Sequence, residues 1–239
     1  PLNKTHRVLV PQRGKMPPAI RKLTALPISL AEFPLVARDY PIVFVSADAG
    51  KTHAAFAVLG IGQGRNLFLM ADGTWGPPAY LPAYVRRYSF CMATITIDGK
   101  VRDERLVCVE KTALRDKGDP LFDDTGKPLP EWEQQQKLLI EYEADLGRTN
   151  AMCAALASHG VLEPFTMQAK PNEGAPLALS GMGRVNEQKL AGLEAEKIKA
   201  MMAGGVLGAV YTHLASLGNF QRLLERRAAM AGKQAQPQA

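Results

Sequence analysis

The chain has 239 residues, 46% of them hydrophobic and 22% charged, enough apolar material to bury a sizeable core, which excludes a disordered chain. Its formal charge of +6 favours anionic partners, but the excess is divided between six Lys/Arg in the first 22 residues and Arg222, Arg226, Arg227 and Lys233 near the end. That distribution lacks the dense basic stripe with interleaved aromatics of a nucleic-acid surface. No apolar run reaches the roughly 18 residues that a membrane-spanning helix needs, and no apolar leader region follows Pro1, although a start without Met leaves room for a removed upstream segment. Cys91, Cys108 and Cys153 are odd in number and form no CxxC pair, so neither a disulfide framework nor a cysteine-rich zinc site is expected. The thiols read as reduced and the location as cytoplasmic.

In chain order, residues 5–10 predict a short strand, followed by a Pro/Gly/Lys-rich loop to about Lys22 and a second strand over residues 27–30. Ser29-Leu-Ala-Glu32 has capping-box spacing, in which a carboxylate reaches back to a free amide at a helix start. Pro34 suits a first turn, so a helix is expected from about Phe33 to Asp39, with Tyr40-Pro41 as the junction into a strand because the residue before Pro avoids helical angles. Residues 41–46, 53–61 and 66–70 are apolar or β-branched runs divided by turn-forming segments, and predict an antiparallel meander. A short helix with Pro82 near its start is expected over residues 81–87. Residues 91–97 and 105–110 then pair across Asp98-Gly99, the strongest hairpin signal in the chain.

Residues 112–129 read as a surface loop. Pro130 opens a helix whose apolar positions Trp132, Leu139, Tyr142 and Leu146 follow a 3.6 period, with Gly147 as an interruption and Thr149 or Asn150 recapping a second segment to Gly160. Residues 163–169 and 177–184 form a second strand pair, Asn186 caps a short helix, Gly204-Gly205 breaks the next, and one final helix covers residues 206–230. The fold class is α+β: a single domain over residues 1–232 with a largely antiparallel sheet of short strands, helices concentrated in the C-terminal half, and a disordered tail over residues 233–239.

Motifs that invite chemistry have simpler readings. Ser46-Ala-Asp-Ala-Gly-Lys-Thr52 ends like a phosphate loop, but its earlier glycine position is Val45 and a strand follows where a helix is required. Gly60-Ile-Gly-Gln-Gly64 leads into a strand and reads as a turn. Asp116, Asp119, Asp123 and Asp124 lack the spacing of a calcium loop. His6, His53, His159 and His213 are isolated, and His213 reads as a core histidine on an apolar helix stripe. No catalytic constellation, metal motif or cofactor motif stands out, which argues against an enzyme. The unusual cluster is Trp75, Tyr80, Tyr84, Arg86, Arg87, Tyr88 and Phe90, which holds one of two Trp and half of six Tyr. Amphipathic rings beside guanidinium groups suit a groove for a peptide, sugar or anionic ligand. The alternative is that the rings pack on the sheet while the arginines pair with Asp39 or Asp72.

Three stretches carry a resemblance: Ala37-Arg-Asp-Tyr-Pro-Ile-Val-Phe44, Asn66-Leu-Phe-Leu69 with Trp75 downstream, and Tyr80-Leu-Pro-Ala-Tyr-Val-Arg-Arg-Tyr-Ser-Phe90. With Tyr211-Thr-His-Leu-Ala-Ser-Leu-Gly-Asn219, they make the chain resemble the SapC family of bacterial proteins over its full length. Ser89 stands where that family usually has Pro, and Pro34 falls inside its helical Glu-Phe segment. The resemblance implies an association with surface-layer proteins and brings no catalytic residues. It leads to the expectation of a non-catalytic accessory protein that binds a peptide, a protein partner or a small molecule. Arg38, Asp39, Tyr40, Trp75, Tyr80, Tyr84, Arg86, Arg87 and His213 are the candidate binding residues. In that reading Arg38, Arg86 and Arg87 orient an anionic group while Trp75, Tyr80 and Tyr84 supply contact area. The alternatives are an enzyme modifying a peptide or amino-acid-derived metabolite through His213 or a metal, and a structural surface-layer component.

Overall fold

The computed structural model of the chain describes residues 1–8, 15–48, 50–62, 64–97, 100–169 and 176–235. The elements in order are β1 (Arg7–Val8), α1 (Pro18–Arg21), β2 (Ala25–Pro27), a 3-10 turn (Leu30–Glu32) running into α2 (Phe33–Val36), β3 (Ile42–Val45), β4 (Ala54–Val58), α3 (Ala83–Arg86), β5 (Phe90–Ile97), β6 (Lys100–Val109), a 3-10 turn (Lys111–Ala113), β7 (Asp119–Pro120), α4 (Pro130–Ser158), β8 (Leu162–Ala169), β9 (Leu177–Val185), α5 (Glu187–Ala191), α6 (Ala195–Ala203), α7 (Val206–Ser216) and α8 (Asn219–Ala235). This is an α+β fold with its long helices in the C-terminal half. Among the described residues no single helix is long and apolar enough to cross a membrane.

The main sheet has five antiparallel strands in the order β2-β4-β3-β9-β8, and the β5–β6 hairpin and the β1–β7 pair stand apart from it. This redistributes the expected strands. The second strand pair completes the main sheet, whereas the central hairpin leaves it, and β7 lies inside the expected 112–129 loop. Residues 66–70 are not a strand. The buried Asn66 side chain accepts the Phe68 amide at 2.9 Å, which bends the segment out of ladder geometry and leaves a single bridge between Leu69 and Trp75. The expected Asp98-Gly99 turn and the end of the first strand lie outside the described residues.

Strand β3 is apolar and buried at Ile42, Val43 and Phe44, as a strand with neighbours on both edges must be. It meets β9 through one register pair, Phe44↔Gly183. At Ile42 the backbone is completed by α7 instead. The Ile42 amide donates to Ser216 Oγ (2.9 Å), His213 Nδ1 donates to the Ile42 carbonyl (2.8 Å), and His213 Nε2 accepts the Val185 amide (3.2 Å). His213 is fully buried and substitutes for missing ladder bonds between β3 and β9. Burial first, and then the nearby Arg184 charge, lowers its pKa to about 4. A depressed histidine pKa means that the unfolded state binds the extra proton, so the contribution of His213 is complete above the unfolded value near 6.5 and is lost as pH falls toward about 4. Chemical denaturation between pH 7 and 4 should show stability falling by about 3 kcal/mol from this group. In His213→Gln that slope should flatten, and an unchanged slope would assign it to other groups.

Helix α4 runs unbroken from Pro130 to Ser158, so Gly147 does not divide it. An added Cβ at Gly147 meets nothing within 4 Å, and the propensity cost of about 1 kcal/mol is too small to break a helix held by packing at both ends. Its N-terminal part supplies Trp132 and Leu139 to a core with Val8, Phe90, Ala113 and Leu121 beneath the hairpin. Its C-terminal part supplies Met152, Cys153 and Leu156 to the core of the main sheet. The expected single last helix is two, α7 and α8. The turn at Leu217-Gly218 places buried Asn219 so that its side-chain amide donates to the carbonyls of Ala37 (2.7 Å) and Tyr40 (3.1 Å). Helix α8 continues through Ala235, and residues 236–239 lie outside the described residues. Gly147→Ala should stabilise the protein by about 0.5–1 kcal/mol, read as a higher unfolding temperature. A lower temperature would mean that the glycine has a packing role.

Candidate functional site

The aromatic and arginine residues are organised by one buried carboxylate. Glu32 ends the 3-10 turn that its capping box opens, and it is 5% exposed. Its Oε2 accepts the Ser29 amide (3.2 Å) and hydroxyl (3.0 Å), and its Oε1 accepts the Tyr80 hydroxyl (3.0 Å) and the Ala83 amide (2.6 Å). The last bond caps α3 from a distant part of the chain, at an N-terminus where Pro82 has no capping side chain. The free amides of the turn are capped in the same way by α4: Leu30 donates to Thr149 Oγ1 (2.8 Å) and Ala31 to Asp145 Oδ2 (2.6 Å).

Residue 80 is gripped on both backbone groups. Its amide donates to Asp39 Oδ2 (2.9 Å), and its carbonyl accepts the Tyr40 hydroxyl, which in turn accepts Trp75 Nε1 at 3.0 Å. Tyr40 is fully buried and Trp75 is 9% exposed, packed with Phe68. Burial is the main reason that the Tyr40 phenol is pushed far above its ordinary value. Burial and then the Glu32 charge push Tyr80 up to about 12. Arg86 donates to the Tyr80 hydroxyl (3.0 Å) and lies over its ring. Asp39, Tyr40, Trp75 and Tyr80 therefore form an internal knot, with Arg86 on its exposed edge. Arg38 is exposed on the α8 side, where its carbonyl accepts from Arg222 (2.8 Å), and His213 lies in the β3–β9 seam with both ring nitrogens engaged. The Ser46–Thr52 turn closes on Asp48, whose carboxylate accepts the Thr52 amide and hydroxyl (both 2.7 Å) and is held down to about 2 by those bonds.

Two members of the expected set, Tyr84 and Arg87, line a cavity of about 280 Å³ between the end of α3 and the base of the β5–β6 hairpin. Tyr88, Ser89, Cys91 and Glu110 line it with them. The Arg87 guanidinium lies over the rings of Tyr84 (4.5 Å) and Tyr142 (5.5 Å), and Nη1 donates to the Phe90 carbonyl (2.8 Å). Arg87 Nε and Ser89 Oγ are buried without a protein partner, and Ser89 is only 4% exposed. Glu110 donates its amide to the Ser89 carbonyl (2.9 Å). Its carboxyl is held below the usual range by the hydroxyls of Tyr88 and Thr112. Burial, followed by the proximity of Cys108, pushes the Cys91 thiol up.

Sequence reasoning missed Ser89, Cys91, Glu110 and Tyr142 as neighbours of Arg87. The signal for Ser89 was its place inside the aromatic-arginine run. Glu110 and Cys108 carried none, because the hairpin register shifts between Thr94 and Thr96, where β6 takes four steps against two in β5. An unshifted count back from the Ile97↔Lys100 pair would set Cys91 opposite Leu106.

The fold and site together define an α+β protein with an arginine-bearing cavity between the end of α3 and the base of the β5–β6 hairpin. The chain belongs to the SapC family, whose model matches residues 2–223. That span contains the Glu32–Tyr80 knot, the cavity and most of both cores. No curated protein and no solved structure matches the chain.

Glu32→Ala leaves the Ser29 and Tyr80 hydroxyls and two amides without this acceptor and should cost about 3–5 kcal/mol of stability, whereas the exposed Arg86→Ala should cost less than about 1 kcal/mol. Urea unfolding of both variants checks this. Equal losses would mean that the carboxylate is not the anchor.

Proposed function

We propose that this SapC-family protein is a non-catalytic accessory protein of the bacterial cytoplasm that binds a peptide or small molecule through an anionic group held in the Tyr84–Arg87–Ser89 cavity. The observation that carries the reading is that Arg87 and Ser89 line one cavity and that each carries a buried polar atom, Nε and Oγ, without a protein partner. Buried polar groups are almost always hydrogen-bonded, and two neighbouring donors without partners match the two acceptor oxygens of a carboxylate. Stacking on Tyr84 and Tyr142 fixes the guanidinium plane before anything binds, which lowers the ordering cost of recognition. A volume of about 280 Å³ suits a peptide terminus or an amino-acid-sized molecule better than a large cofactor. Glu110 in the lining favours a ligand that also carries a cationic or donor group. Trp75, Tyr80 and Arg86, placed in the ligand contact by sequence reasoning, act here through the knot that positions α3, and Arg38 is not part of the site.

The test is an amide chemical-shift titration of labelled protein with a panel of N-acetylated amino acids and dipeptides. Shifts confined to residues 84–91 and 107–110 are expected, together with loss of binding by tenfold or more in Arg87→Lys and Ser89→Val, a discrimination of about 1.4 kcal/mol or more. Lys cannot reproduce the planar, stacked fork of Arg. Absence of shifts at millimolar concentration across the panel, or binding unchanged in folded variants, would overturn the proposal.

A further inference from the structure

The three cysteines look unrelated in the sequence, yet the hairpin sets two of them face to face. Cys91 on β5 and Cys108 on β6 are direct register partners, and both are free and half-buried. Directly opposed residues of an antiparallel pair point to the same face. Their Cα atoms stand about 4.5–5.5 Å apart, within the roughly 4.4–6.8 Å span of disulfides. The shift in register between Thr94 and Thr96 is what creates the pairing.

We infer that Cys91 and Cys108 form a reversible cross-strand disulfide site, oxidised by a small-molecule disulfide such as oxidised glutathione. One cysteine thiolate attacks the glutathione disulfide, a cysteine–glutathione bond forms, and one glutathione thiolate leaves. The second cysteine attacks the cysteine sulfur of that mixed disulfide, the Cys91–Cys108 bond forms, and the second glutathione leaves. Two cysteine protons end on two glutathione thiols, so the protein loses two hydrogens and the oxidant gains them.

Backbone geometry argues for a labile bond. The Val107 carbonyl accepts from Leu2 (2.9 Å) and so points away from β5, while the Ser89 carbonyl accepts from Glu110 across the hairpin (2.9 Å). That alternation makes Cys91↔Cys108 a hydrogen-bonded pair, the wider kind, whose Cβ atoms must approach by roughly 1 Å to reach disulfide spacing. A bond formed against that spacing is easier to reduce, as a switchable site requires. Cys153 is an internal control: it is fully buried in the main core, and burial pushes its thiol up to about 12. Because Cys91 also borders the cavity, oxidation would tie the redox state to the wall of that site. The disulfide itself does not depend on the cavity binding a ligand.

The experiment incubates the full chain with oxidised glutathione, counts thiols under native conditions, and maps cross-links by peptide mass spectrometry before and after returning it to reduced glutathione. Two of the three thiols should disappear, a Cys91–Cys108 peptide should appear within one chain, and both thiols should return on reduction. Cys108→Ser should instead stop at a glutathione adduct on Cys91. Three outcomes would overturn the inference: no thiol loss, adducts only in the unsubstituted chain, or a cross-link between two chains. If the variant does not fold by circular dichroism, the cross-link map of the unsubstituted chain decides the matter alone.

Discussion

The structure depends on burying the Glu32 carboxylate. Moving a carboxylate out of water costs several kcal/mol unless hydrogen bonds replace its hydration, and here four donors from Ser29, Tyr80 and Ala83 do so. Each donor is thereby placed. Ser29 fixes the start of the turn, Ala83 fixes the start of α3, and Tyr80 fixes the segment between them. Asp39 and Tyr40 then hold the two backbone groups of residue 80, and Trp75 closes the circuit through the Tyr40 hydroxyl. Residues separated by some fifty positions share one small polar knot because an unpartnered group anywhere in it would be penalised.

Helix α4 extends that constraint to the rest of the molecule. At about 1.5 Å per residue, a 29-residue helix reaches about 43 Å, far enough to enter both hydrophobic cores. On the way, Asp145 and Thr149 accept the free amides of the Leu30–Glu32 turn, and Tyr142 faces Arg87. The guanidinium is therefore held between a ring on α3 and a ring on α4. Its orientation depends on the same knot that starts α3, and this is how a charge in the cavity wall comes to be rigid. The hairpin closes the other wall, and its inner face is anchored by Phe90 against Trp132 at a centroid separation of 4.7 Å.

On the other side of the sheet the problem is different. Strands β3 and β9 splay after a single register pair, and backbone groups facing the gap cannot be left bare. His213 fills the gap because a neutral imidazole is a donor at one nitrogen and an acceptor at the other, a pairing that bridges a carbonyl on one strand and an amide on the next. The same burial that makes it a good bridge lowers its pKa, and the histidine that reads as a core residue in sequence is a structural member of the sheet.

The sequence by itself determined what short-range physics controls. The Ser29–Glu32 spacing predicted a helix start, met by the 3-10 turn that runs into α2. Tyr40-Pro41 predicted the entry to β3, and Asn186 the cap of α5, whose side chain accepts the Lys189 amide. The hairpin residues predicted its outer limits, although β6 begins at Lys100, five residues earlier than expected. The α+β class followed from the count of such elements, and the family resemblance from words that the knot explains. Tertiary structure decided whatever depended on distant partners. Residues 66–70 are as apolar as a strand, but the Asn66 side chain captured a local amide. Gly147 breaks no helix because its surroundings are open and both helix ends are packed. Strand membership and hairpin register, and with them the Arg87–Ser89 cavity and the Cys91–Cys108 pairing, are set by a bulge and by inter-strand contacts. Local propensity is blind to them, because a two-residue slip in register leaves every side chain on its own face and changes only its cross-strand partner.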